Sequence, residues 1–339
     1  MKAKRIGIVE LAKACGVSKT TVSAALGSTG RVSEEVRRKV RTEAMKRGWK
    51  PDPHLSQLMG YLRQTRRVAT TCNLVWLNTA TDPRRWHDLP WFEGYLRGAR
   101  RRAEELGYGL DEAWTRAEGQ SAPALARQWR ARGVAGVLVP LPQDEPVLRK
   151  LVRADFAWVV IDEAELAPPF PRVQADRHGN LRQLLDEAAK CGYRKPGLAL
   201  DAYVDRISAH SYSSAYLGWC RMQGVAPRII DLDARNEGGT MKRFLREDQP
   251  DLVIGSDNRL VRWCEEAGFP VPAKVGVAHL NLADDVRGWA GIGQNHEQIG
   301  SLAVDQLAAI LTLREFTSTP RRTVLVPGEW RVGSTMRRA

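Results

Sequence analysis

Residues 16–24 read Gly-Val-Ser-Lys-Thr-Thr-Val-Ser-Ala, so that four hydroxyls (Ser18, Thr20, Thr21, Ser23) and one ammonium (Lys19) fall within six positions. Groups of this kind donate hydrogen bonds to phosphate oxygens and base edges. A second set of candidates closes apolar runs. Asp162 ends WVVID, Asp257 ends VIGSD and Gln294 follows GIG. In open α/β sheets, ligands bind beyond the carboxyl ends of strands. Carboxylates and amides placed there make paired hydrogen bonds to vicinal hydroxyls, which suits a sugar. Eleven tryptophans are present. Trp76, Trp86 and Trp91 lie near the first apolar run and the loop after it, where an indole face either stacks on a sugar ring or fills the core.

Catalytic chemistry finds little support. The six histidines (54, 87, 178, 210, 279, 296) show no metal-ligand spacing, and neither a GxSxG elbow nor a P-loop occurs. GIGQNHEQIG (residues 291–300) comes nearest to a dinucleotide fingerprint, but its third glycine position is His296 and no ribose-binding acid follows. No catalytic residue, metal or cofactor is therefore expected. Cys15, Cys72, Cys191, Cys220 and Cys264 lie far apart without a CxxC pair, which argues against both a zinc site and a disulfide framework and for a reducing compartment. The first residues are basic but lack an apolar h-region, and no stretch approaches the ~20 apolar residues of a membrane span. A cytoplasmic location is expected.

The elements that must position these groups can be read from spacing. Ile8, Leu11 and Ala12 sit at i, i+3, i+4, the apolar stripe of a short helix. Cys15-Gly16-Val17 supplies a turn, Ser18 caps the next helix, and Val22, Ala25 and Leu26 form its inner face. Two short helices about a tight glycine turn make a helix-turn-helix. Ser33 caps a third helix, with Glu34 and Glu35 at its positive end and Lys46 and Arg47 at its negative end. Trp49-Lys50-Pro51-Asp52-Pro53 then stops the helical run, and residues 54–63 are expected to form one more short amphipathic helix.

From residue 68 the pattern changes to apolar runs alternating with helix-length stretches: residues 72–77, 134–140, 156–162, 198–201, 228–232, 251–257 and 274–280, with helices near 91–106 and 121–132 and a late strand over 322–330. That alternation predicts βαβ units, parallel sheets and two similar α/β lobes. The expected fold class is α/β: an all-α helix-turn-helix domain (1–50), a linker with a hinge helix (51–67), and a two-lobed core (68–339). The charge follows the same division. Residues 1–67 hold 16 Lys and Arg against 5 Asp and Glu, a net of +11 out of the +13 carried by the whole chain. A folded basic domain next to a nearly neutral core points to a polyanionic partner.

The motifs IVELAKACGVSKTTVSAALG (8–27), RVSEEVRRKV (31–40) and GWKP (48–51) resemble the lactose-repressor/galactose-repressor (LacI/GalR) family. EGYLRGARRRAEELGYGL (93–110), VQADRHGN (173–180), VIGSD (253–257) and IGQNHEQIG (292–300) extend the likeness more loosely along the chain. The resemblance implies a core of the periplasmic-binding-protein type and a homodimer on palindromic double-stranded operator DNA. It also implies repression controlled by a small-molecule effector, with a sugar favoured. The other reading of the basic domain is an architectural, sequence-independent DNA-binding protein.

On this resemblance, Lys19, Thr20 and Ala24 occupy base-reading positions, Lys19 facing guanine and Ala24 offering only apolar contact. Ser18, Thr21 and Ser23 sit where phosphates are held, Arg31 makes a further base or backbone contact, and Leu58 is the minor-groove wedge. Leu55 or Met59 shares that last role if the register shifts. Asp162, Asp257 and Gln294 match effector-pocket positions, with Trp76 and Trp91 as stacking candidates. Several pocket positions depart from the family: Ala215 stands where an arginine is usual, Ala278-His279 where an aspartate follows, and Arg235 or Asn236 where an aromatic is common. No heptad tail follows the last expected strand, so the dimer is expected rather than a tetramer.

Overall fold

The computed structural model describes residues 8–26, 32–47, 72–82, 90–117, 121–141, 146–152, 156–162, 170–232, 237–282, 286–313 and 322–338. Contacts divide the chain into two units, Met1–Thr71 with Ala308–Ser318, and Cys72–Leu307 with Thr319–Ala339.

The first unit is built on helices α1 (Ile8–Cys15), α2 (Lys19–Leu26) and α3 (Glu34–Lys46). Leu11, Ala12, Cys15, Val22, Ala25, Val40 and Ala44 form its core. Between α1 and α2 the chain turns through Gly16 at φ +68°, a left-handed conformation that suits glycine. The turn is closed by the Val17 amide donating to Ala12 O at 3.1 Å. Ser18 caps α2, its Oγ accepting from the Thr21 amide at 3.0 Å, and Ser33 does the same for α3 from Val36.

In the second unit, the N-terminal lobe holds strands β1 (Asn73–Asn78), β2 (Gly109–Trp114), β3 (Val134–Pro140), β4 (Ala157–Ile161) and β5 (Arg172–Ala175), with helices α4 (Pro90–Glu105), α5 (Ala122–Ala131) and α6 (Pro146–Leu151) between them. The C-terminal lobe follows with α7 (Arg177–Lys190), β6 (Pro196–Leu200), α8 (Ala202–Ile207), α9 (Ser211–Gln223), β7 (Ile229–Asp231), α10 (Glu237–Glu247), β8 (Leu252–Gly255), α11 (Leu260–Glu266), β9 (Gly276–His279) and β10 (Ala290–Gly293). The chain then runs through α12 (His296–Leu313), β11 (Thr323–Val326) and β12 (Glu329–Arg331). One sheet has the order β11-β5-β4-β3-β1-β2 and is parallel throughout. The other has the order β12-β10-β9-β8-β6-β7 and is parallel except at β12. Strands β4, β6, β8, β9 and β10 are buried along their whole length, the pattern of a parallel sheet covered by helices on both faces.

The single late strand expected over 322–330 is two strands in different sheets. β11 pairs with β5 in the first sheet and β12 with β10 in the second. Pro327 lacks the N–H a ladder needs, and with Gly328 it breaks the run. This is one of three passages between lobes, the others following β5 and β10. They are tied together: Asn295 Nδ2 donates to Pro327 O (2.9 Å), the Gly328 amide to Asn180 Oδ1 (2.7 Å) and the Asp176 amide to Val326 O (2.9 Å). After the second passage α12 lies against α4 at glycines. A Cβ at Gly98 would collide with the Glu297 carbonyl, and one at Gly300 with that of Tyr95.

Candidate functional site

In the first unit Lys19 is the first residue of α2 and is exposed, as is Ser18. The Ser18 hydroxyl is spent locally, 2.8 Å from Thr21 Oγ1. Thr20, Ser23 and Ala24 lie on α2, but their side chains fall outside the described set. Arg31, Leu58 and the expected helix over 54–63 lie outside the described residues altogether.

The second cluster forms where strand ends of the two lobes meet. Asp162 follows β4 with its backbone at φ +70°, held by its amide donating to Val173 O at 2.8 Å. Its side chain is buried, at 3% exposure. Oδ2 accepts from the Tyr95 hydroxyl of α4 at 3.1 Å, and Oδ1 pairs with the guanidinium of Arg177, the first residue of α7. Arg177 also acts on the buried Tyr212 hydroxyl of α9, which accepts from Gln294 Nε2 at 3.1 Å. Gln294 Nε2 donates in addition to Leu280 O at 3.0 Å. Tyr95, Asp162 and Arg177 are thus joined across the lobes by hydrogen bonds and an ion pair, and Arg177 lies within electrostatic reach of the Tyr212–Gln294 hydrogen bond.

Burial disfavours charge on Arg177, but the Asp162 carboxylate beside it wins and raises its pKa, so the guanidinium stays charged. Burial pushes the Tyr95 and Tyr212 hydroxyls upward, keeping both neutral. His296, edge-on to Tyr95 with ring centroids 5.2 Å apart, is pulled down to about 4 by burial and by Arg177 and Arg331, against the opposing pull of Asp162. The cluster therefore carries one buried charge pair of zero net charge among neutral hydrogen-bonding groups. Arg177 Nη1 is buried without a hydrogen-bond partner. The arrangement can satisfy a polar ligand inserted between the lobes, and it contains no nucleophile–base pair.

Asp162 and Gln294, picked from their places at strand ends, are brought into one cluster, and Trp91 reaches it through Tyr95 at a centroid distance of 5.9 Å. Trp76 does not present an open face: at 1% exposure it stands behind the cluster with its edge to Phe92, because β1 is a central strand covered on both sides. Asp257 stays in its own lobe, gripped by the Arg259 amide (2.8 Å) and by both sides of the Arg259 guanidinium (2.9 and 2.7 Å). Burial opposes ionisation of Asp257, yet these bonds hold its carboxyl below the usual carboxylate range. Of the substituted family positions, Ala215, Ala278 and His279 are all buried. Arg177, Tyr95, Tyr212 and His296 escaped the sequence reading. One signal was present for Arg177: a cation at the first position of a helix opposes the dipole, so a compensating carboxylate is implied.

Residues 7–52 match the family described as bacterial regulatory proteins, lacI family. The chain is 25% identical over 172 residues to the HTH-type transcriptional regulator MalR of Streptococcus pneumoniae, covering 50% of this chain and 49% of that protein. It is 27% identical over 197 residues to an HTH-type transcriptional regulator of Mycobacterium tuberculosis, covering 58% and 52%. The chain thus spans about half the length of the curated relatives it matches. Its fold is similar to that of the lac repressor dimer bound to operator and the anti-inducer ONPF (TM-score 0.59, 17% identity, 98% of this chain and 99% of that one). It is also similar to the transcriptional regulator CelR in complex with cellobiose (TM-score 0.60, 18% identity, 98% and 100%).

Fold and N-terminal motif together define a helix-turn-helix protein carrying a two-lobed core of the periplasmic-binding-protein type. Its N-terminal segment, residues 7–52, matches the lacI family of bacterial regulatory proteins.

Proposed function

We propose that this protein is a sequence-specific transcription repressor that binds palindromic operator DNA as a homodimer and is controlled by a sugar or sugar derivative. The observation that carries the reading is the helix-turn-helix of residues 8–26 with Lys19 exposed at the start of α2, within the segment that matches the family. Residues 1–50 read the major groove, residues 51–67 form the hinge, and residues 68–339 sense the effector and dimerise. Lys19, Thr20 and Ala24 face bases, Ser18, Thr21, Ser23 and Arg31 hold the backbone, and Leu58 wedges the minor groove.

The effector enters between the lobes at Asp162, Gln294 and Trp91. A sugar hydroxyl there competes with Arg177 or Tyr95 for the Asp162 carboxylate, so binding rearranges contacts that join the lobes. That change reaches the hinge and alters operator affinity, with a coupling of ~1–3 kcal/mol typical of such switches. The reading is supported by the likeness to MalR, an HTH-type transcriptional regulator, and to CelR, a transcriptional regulator in complex with cellobiose.

The test is selection of bound duplexes from a random library by the wild type and by Lys19→Ala. The expected result is a palindromic consensus whose half-site changes at one position in the variant, a good base contact carrying ~1–3 kcal/mol. Binding without a consensus, governed by salt alone, would establish the architectural reading instead.

A further inference from the structure

Helices α7 and α9 pack against each other in the C-terminal lobe, where Trp219 Nε1 donates to Asp186 Oδ1 at 2.9 Å. One turn along, Arg182 Nη1 donates to Met222 Sδ at 3.6 Å. Among the described residues Arg182 has no other hydrogen bond and no ion pair, and its Nε is buried without an acceptor. A thioether is only a weak acceptor, so a guanidinium built for several strong bonds is poorly matched there. The sulfur is also within reach of solvent. Met222 is 67% exposed, whereas Met241 and Met336 are buried. Gly218, one turn earlier on the same helix, has open space where a side chain would stand, so that position does not cover Met222.

We propose that Met222 is an oxidation-sensing site whose sulfoxide is received by Arg182. The sulfur lone pair attacks one oxygen of a hydroperoxide, the O–O bond breaks, and the second oxygen leaves as water or an alcohol after taking up a proton. Sulfur loses two electrons and the peroxide gains them, leaving methionine sulfoxide. The new S–O oxygen is a strong acceptor placed beside unused guanidinium donors, so a weak contact becomes a charge-assisted hydrogen bond. Oxidation of an exposed methionine usually loosens packing, but here it ties α7 to α9 more firmly. The same two helices carry Arg177 and Tyr212, so the clamp acts on the elements that assemble the inter-lobe cluster.

Treatment of the full chain with hydrogen peroxide tests this, with peptide mass spectrometry locating the added oxygen and amide hydrogen exchange reading its effect. Met222 is expected to be converted while Met241 and Met336 stay reduced. Exchange across residues 177–190 and 211–223 is expected to slow about fivefold or more in the oxidised wild type, as a hydrogen bond to a charged group implies. No slowing is expected in Arg182→Leu or Met222→Leu treated alike, and Arg182→Gln serves if Arg182→Leu lowers the melting temperature. Met45, 83% exposed on α3, is the reference for exposure alone. A Met222 that stays reduced when Met45 is oxidised, unchanged or faster exchange in α7 and α9, or equal slowing without Arg182 would each overturn the proposal. Neither operator nor sugar binding enters the measurement, so this reading and the proposed function fail separately.

Discussion

At the scale of single residues, the buried pair Asp162–Arg177 is the most consequential contact in the core. Taking two charges out of water costs several kcal/mol each, and only their mutual attraction with added hydrogen bonds offsets it. Removing one partner leaves the other charged and buried. Arg177→Met is therefore expected to destabilise the folded core by about 3–5 kcal/mol, while Arg177→Met combined with Asp162→Leu recovers much of the loss. Thermal melting of both variants checks this, and equal losses in the single and double variants would mean that the pair contributes no coupling. Sequence reasoning found Asp162 because a carboxylate at the end of an apolar run is visible locally. It missed Arg177, Tyr95 and Tyr212 because their roles depend on three helices meeting across two lobes, which spacing along the chain does not encode.

Among the elements, the helix-turn-helix was legible almost residue by residue, because its caps, turn and apolar faces are all short-range. Ser18, Gly16 and Ser33 do what their types imply. The α/β pattern was legible too, since buried parallel strands read as apolar runs. The order of strands and the splitting of residues 322–330 between two sheets were not, because pairing with β5 or β10 depends on partners about 150 and about 40 residues away. The contact of α4 with α12 belongs to the same category. Gly98→Ala forces a methyl against the Glu297 carbonyl, and separating the helices to fit it is expected to cost about 1–3 kcal/mol. A melting temperature equal to that of the wild type would show that the helices shift freely.

For the whole molecule, the uneven distribution of charge along the chain governs how it meets a polyanion, and residue types alone suffice to locate it. With +11 of the +13 net charge in residues 1–67, association with DNA is expected to weaken steeply with salt, in proportion to the phosphates neutralised. Sedimentation equilibrium of the full chain is expected to give twice the chain mass. A monomer or a tetramer would contradict the proposed dimer on two half-sites.

The late strand β11 has a consequence for synthesis. It completes the first sheet by pairing with β5, although about 150 residues separate them and all of the C-terminal lobe's strands but β12 are made in between. On the ribosome, the first sheet therefore emerges with the backbone edge of β5 bare, and it stays so until residues 323–326 leave the exit tunnel. An open parallel edge is a template for other chains. Folding of this protein thus carries a vulnerable interval, lasting on the order of ten seconds at ~5–20 residues per second, in which a nascent-chain chaperone has the most to protect.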